Sequence, residues 1–203
     1  MMNKKISIKI AVIIGIVELI SMTALFCITN YNLTKLLENK AISDIEVIVK
    51  DRAQLVETYI KGCCDFIRGY SKAPEVLEAL NNDSNPQVLE KLHNLTLKYA
   101  ADHNEIEGLY TAHWNTYVLD HINPKSIGRT FRNDINSKAL ENIIKKAGNA
   151  LCLGVVTAPI SKKMVIPVYA PVYDDQGNAK GFVGAAFLTG GLSKIFQTNS
   201  IFV

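Results

Sequence analysis

The sequence carries no G-x-S-x-G element, no H-E-x-x-H and no pair of carboxylates at catalytic spacing, so the common hydrolytic chemistries find no foothold in it. Its four cysteines, Cys27, Cys63, Cys64 and Cys152, match neither a zinc-ligand spacing nor a disulfide framework. They read as small buried hydrophobes, the usual state of a free cysteine. No strongly basic block occurs. The net charge is only +3, and Lys4, Lys5 and Lys9 precede an apolar run. Without those three the chain is close to neutral, so a nucleic-acid partner is not expected. Proline is absent from residues 33 to 72, which removes the commonest helix breaker from a long stretch. Tryptophan occurs once, as Trp114.

The apolar run is Ile10–Ile28, interrupted by Glu18. At ~1.5 Å per residue a helix of this length spans the ~30 Å core of a bilayer, so residues 10–30 are expected to cross a membrane. The lysines before it and the uncharged Thr29–Asn32 after it place residues 1–9 in the cytoplasm and the rest outside. A cleaved signal peptide would be shorter and would end in a small-x-small site, whereas this run ends Phe26-Cys27-Ile28-Thr29. Glu18 within the span needs protonation or a partner at a helix contact.

Residues 33–72 are expected to form one long helix. Apolar or aromatic side chains recur at Ile42, Ile45, Val49, Val56, Tyr59, Cys63, Phe66 and Tyr70, with Arg52 in the gap and Ile48, Leu55, Ile60 and Ile67 widening the stripe. So broad a face suits packing against its own domain and against a second copy, and a homodimer is expected.

Two short helices follow, Glu75 to Leu80 and one opened by Pro86. After Glu105 the period changes to alternation. Ile106–Trp114 and Tyr117–Ile122 read as antiparallel strands around Asn115-Thr116. Alternation puts Tyr110, Ala112 and Trp114 on one face of the first strand. It puts Tyr117, Leu119 and His121 on one face of the second, opposite Val118, Asp120 and Ile122. A loop Ser126–Arg132, a helix Ser137–Ala147, a strand Leu151–Ala158 and a hairpin of Met164–Tyr173 with Ala179–Leu188 complete the pattern. This order gives an α+β class: a central antiparallel sheet with helices packed on it.

The stretch LYTAHWNTYVLDHINPKSIGRTFR, followed by PVYAPVYDDQGNAKGFVGAAF, resembles the extracellular Cache sensor domains of bacterial methyl-accepting chemotaxis proteins. With the membrane helix and long helix before it, the resemblance covers nearly the whole chain. It implies a PAS-like sheet of about five strands over residues 73–190, holding a small ligand between sheet and loops. Many such receptors continue into a second PAS-like lobe, a second span, a HAMP linker and a signalling coiled coil. Residues 191–203 read as the start of a connecting segment, and the chain as the input end of a receptor.

A sensor of this kind needs no catalytic residue and no cofactor. The expected ligand-binding residues are Tyr110, Trp114, Tyr117 and Tyr169 as an aromatic wall, Arg132 for a ligand carboxylate, Asp120 for a ligand ammonium, and His121. His113 and His121 lack a third ligand, so no metal is expected. The ligand class is expected to be an amino acid or organic acid. The output is expected to be that of a chemoreceptor, with a histidine kinase or diguanylate cyclase as the alternative. An extracellular enzyme is disfavoured because Asp120 and His121, as strand neighbours, point to opposite faces.

Overall fold

The computed structural model describes residues 4–158 and 161–198. It forms two compact units, Met1–Ala53 and Gln54–Val203. Helix α1 runs Lys4–Ser71, with no break at the polar Asn30-Tyr31-Asn32 where the two expected helices were to meet. No proline or glycine stands there to interrupt the backbone ladder. In the first unit, residues from Ile8 to Val49 leave their large apolar side chains exposed. One window has a mean hydropathy of 2.4, and the helix is long and apolar enough to cross a membrane.

The second unit is a sheet between two helical layers. The end of α1 contributes Cys63, Ile67 and Tyr70, one helical face, all buried. Helix α2 (Pro74–Asn81) opens with Pro74 in its first turn and buries Val76, Ala79 and Leu80. Helix α3 (Pro86–Ala101) is capped by Asn85, whose side chain accepts the Gln87 N–H at 3.0 Å, and it buries Val88, Leu92 and Thr96.

The sheet contains β1 (Ile106–Ala112), β2 (Val118–His121), β3 (Leu151–Cys152), β4 (Val156–Thr157), β5 (Met164–Tyr173) and β6 (Ala179–Leu188). Strand order is β2-β1-β6-β5-β3, with β4 also on β5, and every pairing is antiparallel. The expected single strand Leu151–Ala158 is two short ones, because Gly154 at φ 82° turns the backbone between them. The β5–β6 turn is closed by Asp174, whose Oδ1 accepts the N–H groups of Gln176 and Asn178 at 3.0 and 2.7 Å.

One face of the sheet (Leu109, Leu119, Ile166, Val168, Val183, Phe187) packs against α1, α2 and α3. Each such fully buried aliphatic side chain contributes roughly 1.5–3 kcal/mol. The other face is covered in part by α4 (Asp134–Ala147), through Leu140 and Ile144 against Ala112, Tyr169 and Phe182. Helix α4 starts a turn earlier than Ser137 because the Asn133 side chain caps it, accepting the Asn136 N–H at 3.0 Å. It ends at Gly148, φ 63°, in the left-handed region glycine favours. Because α4 covers only part of this face, a hollow is left beside it.

Candidate functional site

The hollow is a cavity of about 600 Å³ between the uncovered sheet face and the loops after β2 and before β5. Its floor exists because small residues line the middle strands. A Cβ at Gly184 would lie 2.5 Å from the Tyr110 ring, so glycine there lets Tyr110 lie across β6. Across the β1–β2 ladder Tyr110 pairs with His121, and their rings stack at 5.6 Å with planes 6° apart. Phe131 stands edge-on to Tyr110 at 5.5 Å.

The polar groups converge on the same hollow. His121 is buried and its Nδ1 accepts the Asn123 N–H at 2.7 Å, so a proton on the neutral ring sits on Nε2. Burial lowers the His121 pKa to about 4, against the opposing pull of the Asp120 carboxylate, so near neutral pH the ring is an uncharged Nε2–H donor. The Tyr110 hydroxyl is held well above its ordinary pKa by burial and by neighbouring Tyr169, and drawn back somewhat by Arg132. It stays a neutral donor.

Arg129 and Arg132 both line the cavity, and neither is ion-paired among the described residues. Arg132 is held by its backbone. Thr116, at φ 63°, sits in a conformation unusual for a β-branched residue. It is pinned there by Thr116 N–H to His113 O at 2.8 Å, and its Oγ1 accepts the Arg132 N–H at 2.9 Å. Glu107 is the one acidic residue among those lining the cavity, and Lys163 Nζ pairs with it at 3.1 Å.

Of the residues expected in the pocket, Tyr110, His121, Arg132 and Tyr169 line this cavity. Trp114, Tyr117 and Asp120 are not among its lining residues. Trp114 stacks on Phe182 at 5.7 Å, donates its indole N–H to Ala179 O at 3.2 Å and lies under Lys145, at the end of the sheet beside α4. Tyr117 is half-exposed and bridges to Thr130, with its ring stacked on His113. Asp120 lies on the helix-facing side, where Oδ1 meets His93 Nδ1 at 2.7 Å.

The expected faces of β2 also need correcting. A register shift between Thr111 and Ala112 sends Leu119 into the helix-side core, so it parts from His121 although both are odd-numbered. Arg129, which follows the loop glycine Gly128 and ranks behind Arg132 as a carboxylate binder in the sequence, also lines the cavity. Glu107, Phe131 and the floor glycine Gly108, whose added Cβ would come within 3.4 Å of His121 Nε2, were not anticipated.

No protein-family model matches the chain, and no curated protein matches it. Solved structures do. The sensory domain of the Campylobacter jejuni chemoreceptor Tlp3 with isoleucine bound is 17% identical at TM-score 0.57, over 72% of this chain and 58% of that one. The sensor domain of the V. cholerae histidine kinase DctB is 14% identical at TM-score 0.55, over 74% of this chain and 58% of that one. The E. coli DcuS sensor domain is 15% identical at TM-score 0.51, over 72% of this chain and 97% of that one. The chain thus spans less than two thirds of the Tlp3 and DctB domains it resembles. At these identities the likeness is one of fold: a long helix leading into the α+β sheet of Cache-type sensor domains.

Proposed function

We propose that residues 54–203 are the outward-facing sensing region of a membrane-anchored bacterial receptor of the chemoreceptor type, and that the cavity takes a small organic anion. The carrying observation is the charge of the lining. Two guanidinium groups without carboxylate partners among the described residues, the neutral Nε2–H of His121 and the tyrosine hydroxyls face a cavity whose acidic residue Glu107 is already paired with Lys163. Unpaired arginines beside an aromatic floor suit a carboxylate with a short apolar tail. With Asp120 on the far face of the sheet, no free carboxylate among the described lining residues receives an ammonium group. A simple carboxylic acid therefore fits better than an α-amino acid. The isoleucine in Tlp3 marks the fold as one that holds small ligands of that size.

The exposed apolar part of α1 supports a membrane anchor, and Lys4, Lys5 and Lys9 ahead of it support an N-in orientation. A kinase output is the second reading, supported by the likeness to the DctB and DcuS sensor domains. Thermal-shift titration of the detergent-solubilised chain with C2–C5 carboxylates, and with the matching α-amino acids, tests the ligand. The acids raise the melting temperature with concentration because only the folded chain binds them. Equal or stronger shifts with the amino acids would refute the assignment.

A further inference from the structure

Sequence spacing hides a pairing that the fold brings about. Cys64, on α1, and Cys152, on β3, are both half-buried and pack against the same core. Their relative register is set one helical turn further on. Arg68, four residues after Cys64 and so on the same side of α1, donates its Nε–H to Asn149 Oδ1 at 2.7 Å. From Arg68 back to Cys64 the helix covers about 6 Å. From Asn149 to Cys152 the extended chain covers about 10 Å. Alternation then directs Ala150 and Cys152 into the α1-side core and Leu151 to the opposite face, as their packing partners record. The two sulfurs also lie within electrostatic reach: after burial, the neighbouring Cys152 is the next largest influence raising Cys64.

We propose that Cys64 and Cys152 form a disulfide that ties α1 to the edge strand β3 in an oxidising compartment. The proposal rests on the outward location of this unit, where disulfides form and persist. It also meets a structural need, because β3 is a two-residue edge strand, paired with β5 through Leu151–Tyr169 and Cys152–Val168.

Formation is thiol–disulfide exchange with a disulfide-bearing oxidant. The Cys64 thiolate attacks the oxidant's disulfide, giving a mixed disulfide and one free oxidant thiol. The Cys152 thiolate then attacks Cys64 Sγ, forming the Cys64–Cys152 bond and releasing the second oxidant thiol. Two electrons pass from the cysteines to the oxidant, and their two protons end on its thiols. Burial raises Cys64, so the exchange belongs to the chain before its core closes. Cys63 also feels the charge of Cys152, but it lies in the core beside Tyr59, about 100° around α1 from the side that Cys64 shares with Arg68, so the folded chain selects Cys64. Nor can Cys63 bridge to Cys64, since consecutive helical residues point about 100° apart.

The test uses the full chain in detergent, unfolded in denaturant with reductant, then returned to folding conditions with oxidised and reduced glutathione. Remaining thiols are blocked with N-ethylmaleimide and peptides mapped by mass spectrometry. The expected product is a Cys64–Cys152 cross-linked peptide that is lost on reduction, persists in Cys63→Ser and is missing in Cys64→Ser and Cys152→Ser. The oxidised chain should melt several degrees above the reduced one. A dominant Cys63–Cys152 bridge, glutathione adducts alone, or free thiols throughout would overturn the proposal. In parallel, labelling of exposed Lys125 in intact cells by a membrane-impermeant amine reagent tests the outward location separately. Absence of labelling would remove that premise whatever the cross-linking result.

Discussion

His121 should make the folded domain sensitive to mild acid, and the size of the effect follows from its surroundings. The ring is 8% exposed, stacked on Tyr110, with Nδ1 occupied by the Asn123 N–H. Burial lowers its pKa from 6.5 in the unfolded chain to about 4 in the folded one. Above pH 6.5 the ring is neutral in both states and costs nothing. Between pH 6.5 and 4 the unfolded chain takes up a proton that the folded chain refuses, so stability falls as pH falls. The slope is about 1.4 kcal/mol per pH unit, summing to about 3 kcal/mol by pH 4. For a domain of this size that is a drop of roughly 10 °C in melting temperature.

His121→Gln removes the titration while leaving an amide to meet the Asn123 N–H. Melting temperatures of both proteins, taken from pH 7.5 to 4 in detergent, give the comparison. Every other ionisable group is common to the two proteins, so the difference isolates position 121. The wild type should therefore lose its stability margin relative to the variant across this window. A difference that stays flat with pH would refute the assignment of a buried, neutral His121.

Gly184→Ala should cost about 1–3 kcal/mol by thermal melting, since its Cβ would lie 2.5 Å from the Tyr110 ring and push that ring off the cavity floor. Arg132→Ala should weaken binding of a carboxylate found by thermal-shift screening at least tenfold, read by calorimetry, and Arg129→Ala should weaken it less if Arg132 makes the closer contact. His93→Ala should destabilise by about 2–3 kcal/mol in denaturant titration, because it strips the partner from a carboxylate that is 2% exposed. The figure is at the low end because His93 itself is partly exposed. Asp120→Asn should cost less.

The helices and the β5–β6 hairpin were legible because each is marked by local chemistry: an apolar run, proline at a first turn, or Asp174 closing a turn with its own side chain. Tyr110 and Tyr169 were legible as aromatic residues of the sheet, although alternation alone does not say which face looks inward. The position of Asp120 was not legible. Its burial against His93 pairs residues far apart in sequence, and no local pattern announces such a contact. The faces of β2 were misread because a register shift changes parity, and a bulge has no reliable residue signature when no glycine marks it. Trp114 looked like pocket lining because it shares a face with Tyr110. It stands four residues further along, just past the end of β1, where α4 covers the sheet, and sequence alone does not say where a covering helix stops. The short β3 and β4 were run together because apolar residues continue on both sides of Gly154, while the break depends on its φ.

The cross-strand pair Tyr110–His121 faces the cavity, and the next pair along, Thr111–Asp120, faces the helices. There Tyr70 of α1 lies within hydrogen-bonding distance of Thr111 and Thr96, and His93 of α3 holds Asp120. The sheet is a single backbone thick, so these four residues share two peptide links. Any tilt of the ladder that widens the cavity must press Thr111 and Asp120 against the helices behind, and any shift of Tyr70 must register on the cavity floor. The two faces cannot be tuned independently. A substitution behind the sheet is therefore also an edit of the cavity, and specificity can drift through residues a ligand never touches.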